Sequence, residues 1–270
     1  MASVTPAQLA EWQEAVGRQL VEEETLHRAP LRRYAQALGD DGQSAVPPLA
    51  HWAFFLPSPT DDEIGPDGHP KRGVFLPDVS LPRRMFAASE MHFLAPLVIG
   101  QRARQTSEII ALTHKLGGSG DLIFAKVEKR LEQDGSVRVR EVQTYVYRPA
   151  GERTPMPVPE NPLPQGEIWE PEEVNLFRFS AATANAHRIH YDRPYATEVE
   201  GYPALVIHGP FTAAKLAALA QRSGTLASFS FRAMAPLFLG QPVWLRKSDG
   251  VYQAVRCDSV VAMEARASLQ

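Results

Sequence analysis

The sequence predicts an α+β chain made of two similar antiparallel sheets, each wrapped around a helix and joined edge to edge. Three observations carry this expectation. Strand-length apolar runs, separated by Gly, Asp and Pro turns, occupy both halves. Each half also holds a stretch that reads as a buried helix. Finally, the chain matches itself. Segment 95–101, APLVIGQ, reads against 235–241, APLFLGQ, with five of seven positions identical at an offset of 240 − 100 = 140. Segment 33–40 reads against 178–185 at an offset of 185 − 40 = 145. Two matches in the same order argue for duplication.

The first element is a helix opened by Thr5 as cap and Pro6 in the first position. Leu9, Trp12, Val16 and Leu20 continue it at helical spacing. Glu22, Glu23 and Glu24 form a charged, solvated edge. Residues 31–38 repeat a helical pattern that stops at Gly39. Pro47 and Pro48 restart another over 49–56, apolar on nearly all sides, which marks the buried helix of the first half. Residues 57–82 are rich in Pro, Gly and Asp and read as a long loop, a class that is often functional. Strands follow over 85–93, 101–112, 122–131 and 137–147. The run Gly117-Gly118-Ser119-Gly120 lacks the Lys-Ser/Thr ending of a nucleotide loop and sits between strands, so it is a hairpin turn. A second Pro-rich stretch over 149–171 reads as a linker. A helix starting at Pro210 and strands over 229–235, 241–247, 252–257 and 260–267 complete the second half. The organisation is thus a first repeat over 1–148, the linker over 149–171 and a second repeat over 172–270.

The chain has 270 residues, 44% of them hydrophobic and 22% charged, an ordinary balance for a globular protein. Its net charge of −3 gives no basic footprint for nucleic acid. A single cysteine, Cys257, excludes an internal disulfide and a cysteine zinc cluster. No apolar run is long enough to span a membrane, and the N-terminus lacks a basic-then-apolar signal, so a cytoplasmic location is expected.

Chemistry concentrates in one stretch. From Phe177 the text runs apolar, then places Asn185, His187, Arg188, His190 and Asp192 within eight positions. A purely structural segment has little reason to do so, whereas a proton-transfer site does. Shortly after, His208-Gly209-Pro210 reads as a helix start. Its free amide N–H groups could receive a developing negative charge.

These two motifs resemble the MaoC-like hydratases and dehydratases, which act on acyl thioesters with a hotdog fold. The family frame, Phe-Ser-x-x-(Thr)-x-Asp-x-Asn-Pro-x-His, places an Asp five positions before its His. Here His190 holds the His position, Asn185 stands where the Asp is expected, and His187-Arg188 replace Asn-Pro. The pattern Asn-x-His-Arg-Ile-His-Tyr-Asp is similar to a branch that includes mesaconyl-C4-CoA hydratases, itaconyl-CoA hydratases and hydroxyacyl-thioester dehydratases of type 2. The resemblance covers the chain from about Thr25 onward. It implies a double hotdog, and the internal repeat, which sets Asp40 against Asn185 and Ala45 against His190, indicates that the first half has lost the histidine.

The resemblance implies reversible hydration of a conjugated acyl-CoA, with coenzyme A part of the substrate, no separate cofactor and no metal. Expected roles are His190 as proton-transfer group, Asn185 as holder of the water, and the Gly209 N–H as donor to the enolate oxygen. Arg188, Arg84, Arg83, His208 and Pro210 form the expected substrate-binding set. Arg83 and Arg84 are the candidates for a distal carboxylate, and His208 packs or caps beside the glycine. Itaconate degradation through citramalyl-CoA is the expected setting, with a homo-oligomer as the working form. The alternatives are a 3-hydroxyacyl carrier-protein dehydratase, a hotdog thioesterase and a non-catalytic acyl-CoA-binding module.

Overall fold

The computed structural model describes residues 4–40, 46–118 and 120–270. Its elements in order are α1 (Pro6–Gln13), β1 (Gln19–Thr25), α2 (Arg28–Ala37), β2 (Arg83–Phe93), β3 (Arg102–Gly117), β4 (Gly120–Gln133) and β5 (Ser136–Arg148). The second half adds β6 (Glu167–Trp169), α3 (Glu173–Thr183), α4 (Gly209–Gln221), β7 (Leu226–Ala233), β8 (Val243–Ser248), β9 (Val251–Val255) and β10 (Val261–Leu269). Among the described residues the strands form one antiparallel sheet in the order β1-β3-β4-β5-β2-β7-β10-β9-β8-β6.

That order reads the same from either end once β6 is set against β1, β8 against β3, β9 against β4, β10 against β5 and β7 against β2. The two halves meet along β2 and β7, where Ala88 to His92 pair with Arg232 to Ser228. The matched sequence segments leave the two seam strands in the same way. Leu94 and Ala95 N–H groups share the Arg138 carbonyl, and Met234 and Ala235 share that of Ala262. Gly100 and Gly240 then turn with φ of 93° and 87°, a conformation that favours glycine. The fold is the expected double hotdog. Position 45, which the repeat sets against His190, lies outside the described residues.

The first helix ends at Gln13, well short of Leu20. Val16 and Leu20 are each 43% exposed, so their helical spacing reflects no buried stripe. Residues 19–25 are instead the outermost strand, paired with β3 from Gln19↔Glu108 to Thr25↔Arg102. Glu22 to Glu24 sit there, where charge discourages pairing with another chain. The mirror-image edge is β6, which lies inside the stretch read as a linker. The rest of that stretch lies along the second half, with Thr154 N–H on the Gly201 carbonyl and Gln241 on that of Pro157.

The larger departure concerns the first half's buried helix. Over 49–56 the chain makes one 3₁₀ turn, Ala50–Ala53. Leu49 and Phe55 adopt φ of 54° and 52° and interrupt any longer helix on both sides. The segment is buried as expected, but it carries His51 and Trp52 into a polar network. The Glu141 carboxylate receives the Ser89 hydroxyl at 2.7 Å and the Trp52 indole at 3.2 Å, with His51 Nε2 also at 3.2 Å. Burial opposes ionisation of Glu141, but these partners outweigh it and hold the carboxyl low. Among the described residues, the long central helix belongs to the second half alone. Helix α4 buries Phe211, Ala213, Leu216, Ala217 and Ala220 against β7 to β10 and the seam strand β2.

Candidate active site

Helix α3 delivers the signature. It ends at Ala184, held at φ 47°, and Asn185 folds back with its N–H on the Ser180 carbonyl at 2.9 Å. The Asn185 side-chain oxygen accepts the His187 N–H at 3.1 Å, a local turn bond. One 3₁₀ turn, Arg188–His190, then presents a buried imidazole. His190 Nδ1 lies 2.7 Å from the Val206 carbonyl oxygen. A carbonyl can only accept, so Nδ1 carries the proton and Nε2 keeps its lone pair. No hydrogen-bond partner occupies Nε2 among the described residues.

An isolated bridge, Val206 with Phe238, leads into α4. His208 precedes it and stacks on His190 with ring centroids 3.7 Å apart. Its Nε2 lies 2.8 Å from the Ser180 hydroxyl. Gly209 opens the helix, and its N–H has no partner among the described residues. A Cβ there would find only Phe86 O at 3.9 Å and Met263 Cε at 4.0 Å, so open space adjoins the free amide. The helix dipole adds positive potential at that end. A base with a free lone pair and a free helix-start amide are thus set side by side, because the residue before the glycine is packed on the base.

The long Pro-rich loop of the first half closes over this segment. Gly68 (φ 88°) approaches Ala186 so closely that a Cβ would fall 1.9 Å from its carbonyl oxygen, so only glycine fits. The Arg188 N–H bonds the Asp67 carbonyl, and Arg188 Nη1 the Pro66 carbonyl, each at 2.9 Å. Asp67 Oδ2 receives His69 Nδ1–H at 3.2 Å. The His69 ring lies 4.1 Å from that of His187, which in turn lies 5.4 Å from His190 and perpendicular to it. Burial drives all four imidazoles toward neutrality. His187 and His190 are pushed down to about 3, and His69 and His208 move the same way. Burial also acts against the Asp67 carboxylate, but the bonds from His69 prevail and keep it ionised.

Residues 49–239 match the hydroxyacyl-thioester dehydratase type 2 family. The chain belongs to that family. It is 43% identical to the mesaconyl-C(4)-CoA hydratase of Chloroflexus aurantiacus over 240 residues, covering 85% of this chain and 86% of that one. Among solved structures, HtdX from Mycobacterium tuberculosis superposes with a TM-score of 0.67 at 17% identity, over 93% of this chain and 99% of that one. Another M. tuberculosis protein, described as a double hotdog, superposes with a TM-score of 0.53 at 11% identity, over 93% and 95%.

In this member of the hydroxyacyl-thioester dehydratase type 2 family, the residues expected at the site divide. His208 stacks on His190 and directly precedes Gly209, Asn185 opens the same segment through its bond from His187 N–H, and Pro210 occupies the first turn of α4. His208 is 0% exposed and is packed on His190 and Ser180, so it supports that ring where a substrate contact was expected. Arg83 is also removed from the binding set. It is buried against Glu200, 3.0 Å from Nε to the carboxylate, and lies over the Tyr202 ring. Arg188 spends its guanidinium on Asp192, at 2.9 and 2.7 Å, on the Pro66 carbonyl and over the Tyr195 ring. It braces the loop and leaves no fork for a phosphate. Arg84 differs from these. No carboxylate pairs with it among the described residues, and its charge acts on His69, His187, Tyr145 and Tyr147.

Sequence reasoning missed Asp67 and His69. Their only signal was Asp-Gly-His inside a loop already marked as functional by its length and composition. The ligand atoms of Asp67, His69 and His187 lie within 4.8 Å of one another and could approach a cation. Arg84 acts on both imidazoles and opposes one. A cleft of about 230 Å³ lined by Leu38, Asp40, Lys215, Leu219 and Arg222 lies farther along α4. It contains none of the imidazoles and falls below the size usual for ligand sites. No helix among the described residues is long and apolar enough to cross a membrane.

Proposed function

We propose that this chain catalyses the reversible hydration of an enoyl-CoA thioester, with a branched C5 dicarboxyl-CoA as substrate: mesaconyl-C4-CoA or itaconyl-CoA, giving citramalyl-CoA. The observation that carries the reading is the His190 ring, held by Val206 with its Nε2 free, beside the unpartnered Gly209 N–H. Water adds at the β carbon while His190 takes its proton. Charge moves to the thioester oxygen, where the Gly209 amide receives it, and the proton passes from His190 to the α carbon. A single donor of this kind contributes about 2.7–4 kcal/mol to the transition state. Asn185 offers its side-chain amide to the same water, since its oxygen is already engaged by His187 N–H.

The dicarboxylate is supported by Arg84, a half-buried cation whose charge acts on the His69 and His187 imidazoles, and by the 43% identical relative whose name specifies mesaconyl-C4-CoA. Mesaconyl-C4-CoA is already conjugated and hydrates directly, whereas itaconyl-CoA needs a prior proton shift that one imidazole can mediate. The reading asks for no cofactor beyond the CoA of the substrate. It places the enzyme in the cytoplasm as a homo-oligomer and in itaconate breakdown. Loss of enoyl absorbance on incubation with mesaconyl-C4-CoA, with the product weighed by mass spectrometry, tests it. The expected gain is one water. His190→Ala should lower kcat by about 10²–10⁴-fold. Release of free thiol would instead indicate a thioesterase. Binding without turnover would indicate a carrier module, and preference for long 3-hydroxyacyl chains on carrier protein would indicate a fatty-acid dehydratase.

A further inference from the structure

Asn185 is neutral at the position where the resembling signature carries a carboxylate, and the structure brings a carboxylate to the same segment from the other half of the chain. The Pro-rich loop is seated backbone on backbone. Arg188 N–H meets the Asp67 carbonyl at 2.9 Å, and Gly68 lies against Ala186 where no Cβ fits. This seating leaves Asp67 and His69 little freedom. Asp67 Oδ1 also accepts the His69 N–H at 3.0 Å. Because a carboxylate only accepts, its Oδ2 fixes the proton of His69 on Nδ1 and leaves a lone pair on Nε2. Val206 imposes the same tautomer on His190. His187 neighbours both rings, with centroids 4.1 Å from His69 and 5.4 Å from His190.

We propose that Asp67 and His69 supply the second arm of the water site: His69 Nε2 accepts one hydrogen of the water whose other hydrogen His190 removes, and Asp67 keeps His69 in the tautomer that can do so. The proposal rests on the hydratase reading. During addition one O–H bond of water breaks toward His190 Nε2, and a C–O bond forms at the β carbon. The π pair moves to the α carbon and the thioester oxygen as an enolate. The His190 imidazolium then returns that proton to the α carbon. His69 neither gains nor loses a proton; it aims the oxygen lone pair. His69 is therefore a catalytic residue in contact with the reacting water, and Asp67 is a positioning residue acting through it.

The test uses the full chain and mesaconyl-C4-CoA. Asp67→Asn keeps the oxygen that receives His69 N–H but sets an amide N–H toward His69 Nδ1, which moves the imidazole proton to Nε2. The acceptor becomes a donor, so kcat should fall about 10²-fold or more, with KM within about threefold and the melting temperature unchanged. His69→Leu should fall at least as far, and His69→Gln, whose carbonyl can accept the same hydrogen, should recover part of the rate. Four results would overturn the proposal: Asp67→Asn retaining kcat within threefold, His69→Leu as active as the native chain, a rise in KM alone, or rate losses that only follow losses in melting temperature. Recovery of one equivalent of divalent metal with the native chain, lost in Asp67→Asn and needed for turnover, would reassign the three residues as metal ligands. A native chain that fails to hydrate the thioester would defeat the hydratase reading itself. A native chain that turns over beside fully active Asp67 and His69 variants would defeat only this inference.

Discussion

Lowering the pH from 7 to 5 should destabilise the fold through its imidazoles. Burial holds His69, His187, His190 and His208 neutral in the folded chain. In the unfolded chain each titrates near its ordinary value of 6.5. Below that pH the unfolded state binds protons that the folded state does not, so stability declines as pH falls. It continues to decline until the folded chain takes up the protons, near pH 3 for His187 and His190. At pH 5 the unfolded histidines are about 1.5 pH units below their midpoint. At about 1.36 kcal/mol per unit, each of these two removes about 2 kcal/mol, or about 4 kcal/mol together. His69 and His208 add to the loss in the same direction. Against a total of about 5–15 kcal/mol this is a large fraction. Urea unfolding followed by tryptophan fluorescence measures it. The midpoint should be level from pH 8 to 7 and fall between pH 6 and 5, and His187→Asn should recover about 2 kcal/mol of the deficit at pH 5. A midpoint unchanged between pH 7 and 5, or an Asn variant with the native pH slope, would refute the reasoning.

Three further outcomes are expected. Arg84→Met should raise KM for mesaconyl-C4-CoA about tenfold or more and leave turnover of crotonyl-CoA, which has no distal carboxylate, within about twofold; equal effects on both would remove Arg84 from recognition. Gly68→Ala places a Cβ 1.9 Å from the Ala186 oxygen at φ 88°, so the loop must lift, and limited proteolysis should cut within residues 60–75 faster than in the native chain. Glu141→Leu leaves His51, Trp52 and Ser89 without their shared acceptor and should cost about 3–5 kcal/mol in urea unfolding, whereas a cost below about 1 kcal/mol would show that the network contributes little.

Much of the site was legible in the residues themselves. His190 stood out because titratable groups crowd one short segment, and Gly209 because Gly-Pro after a histidine marks a helix start whose amides are free. The duplication was visible in identical strand exits, since the same backbone turn after β2 and β7 demands the same glycine. Helical spacing misled at Val16 and Leu20, where apolar side chains recur without a buried face to meet. It misled again at Leu49 to Phe55, where burial came from the surrounding sheet and two left-handed residues prevented a helix. Edge strands β1 and β6 were hidden because a strand paired on one side only carries charge and no clean alternation.

Local chemistry therefore marked His190 as the candidate proton-transfer ring and Gly209 as a helix start, because each depends on neighbours a few positions apart, and the match of the chain to itself revealed the repeat. Three-dimensional packing decided which of the expected arginines was left without a carboxylate, which histidine was buried against another, and that Asp67 and His69 reach the signature at all. The last depends on contacts between segments about 120 residues apart, such as Arg188 on Pro66. Backbone geometry sets such contacts once the sheet has closed, and no periodicity in the chain encodes them.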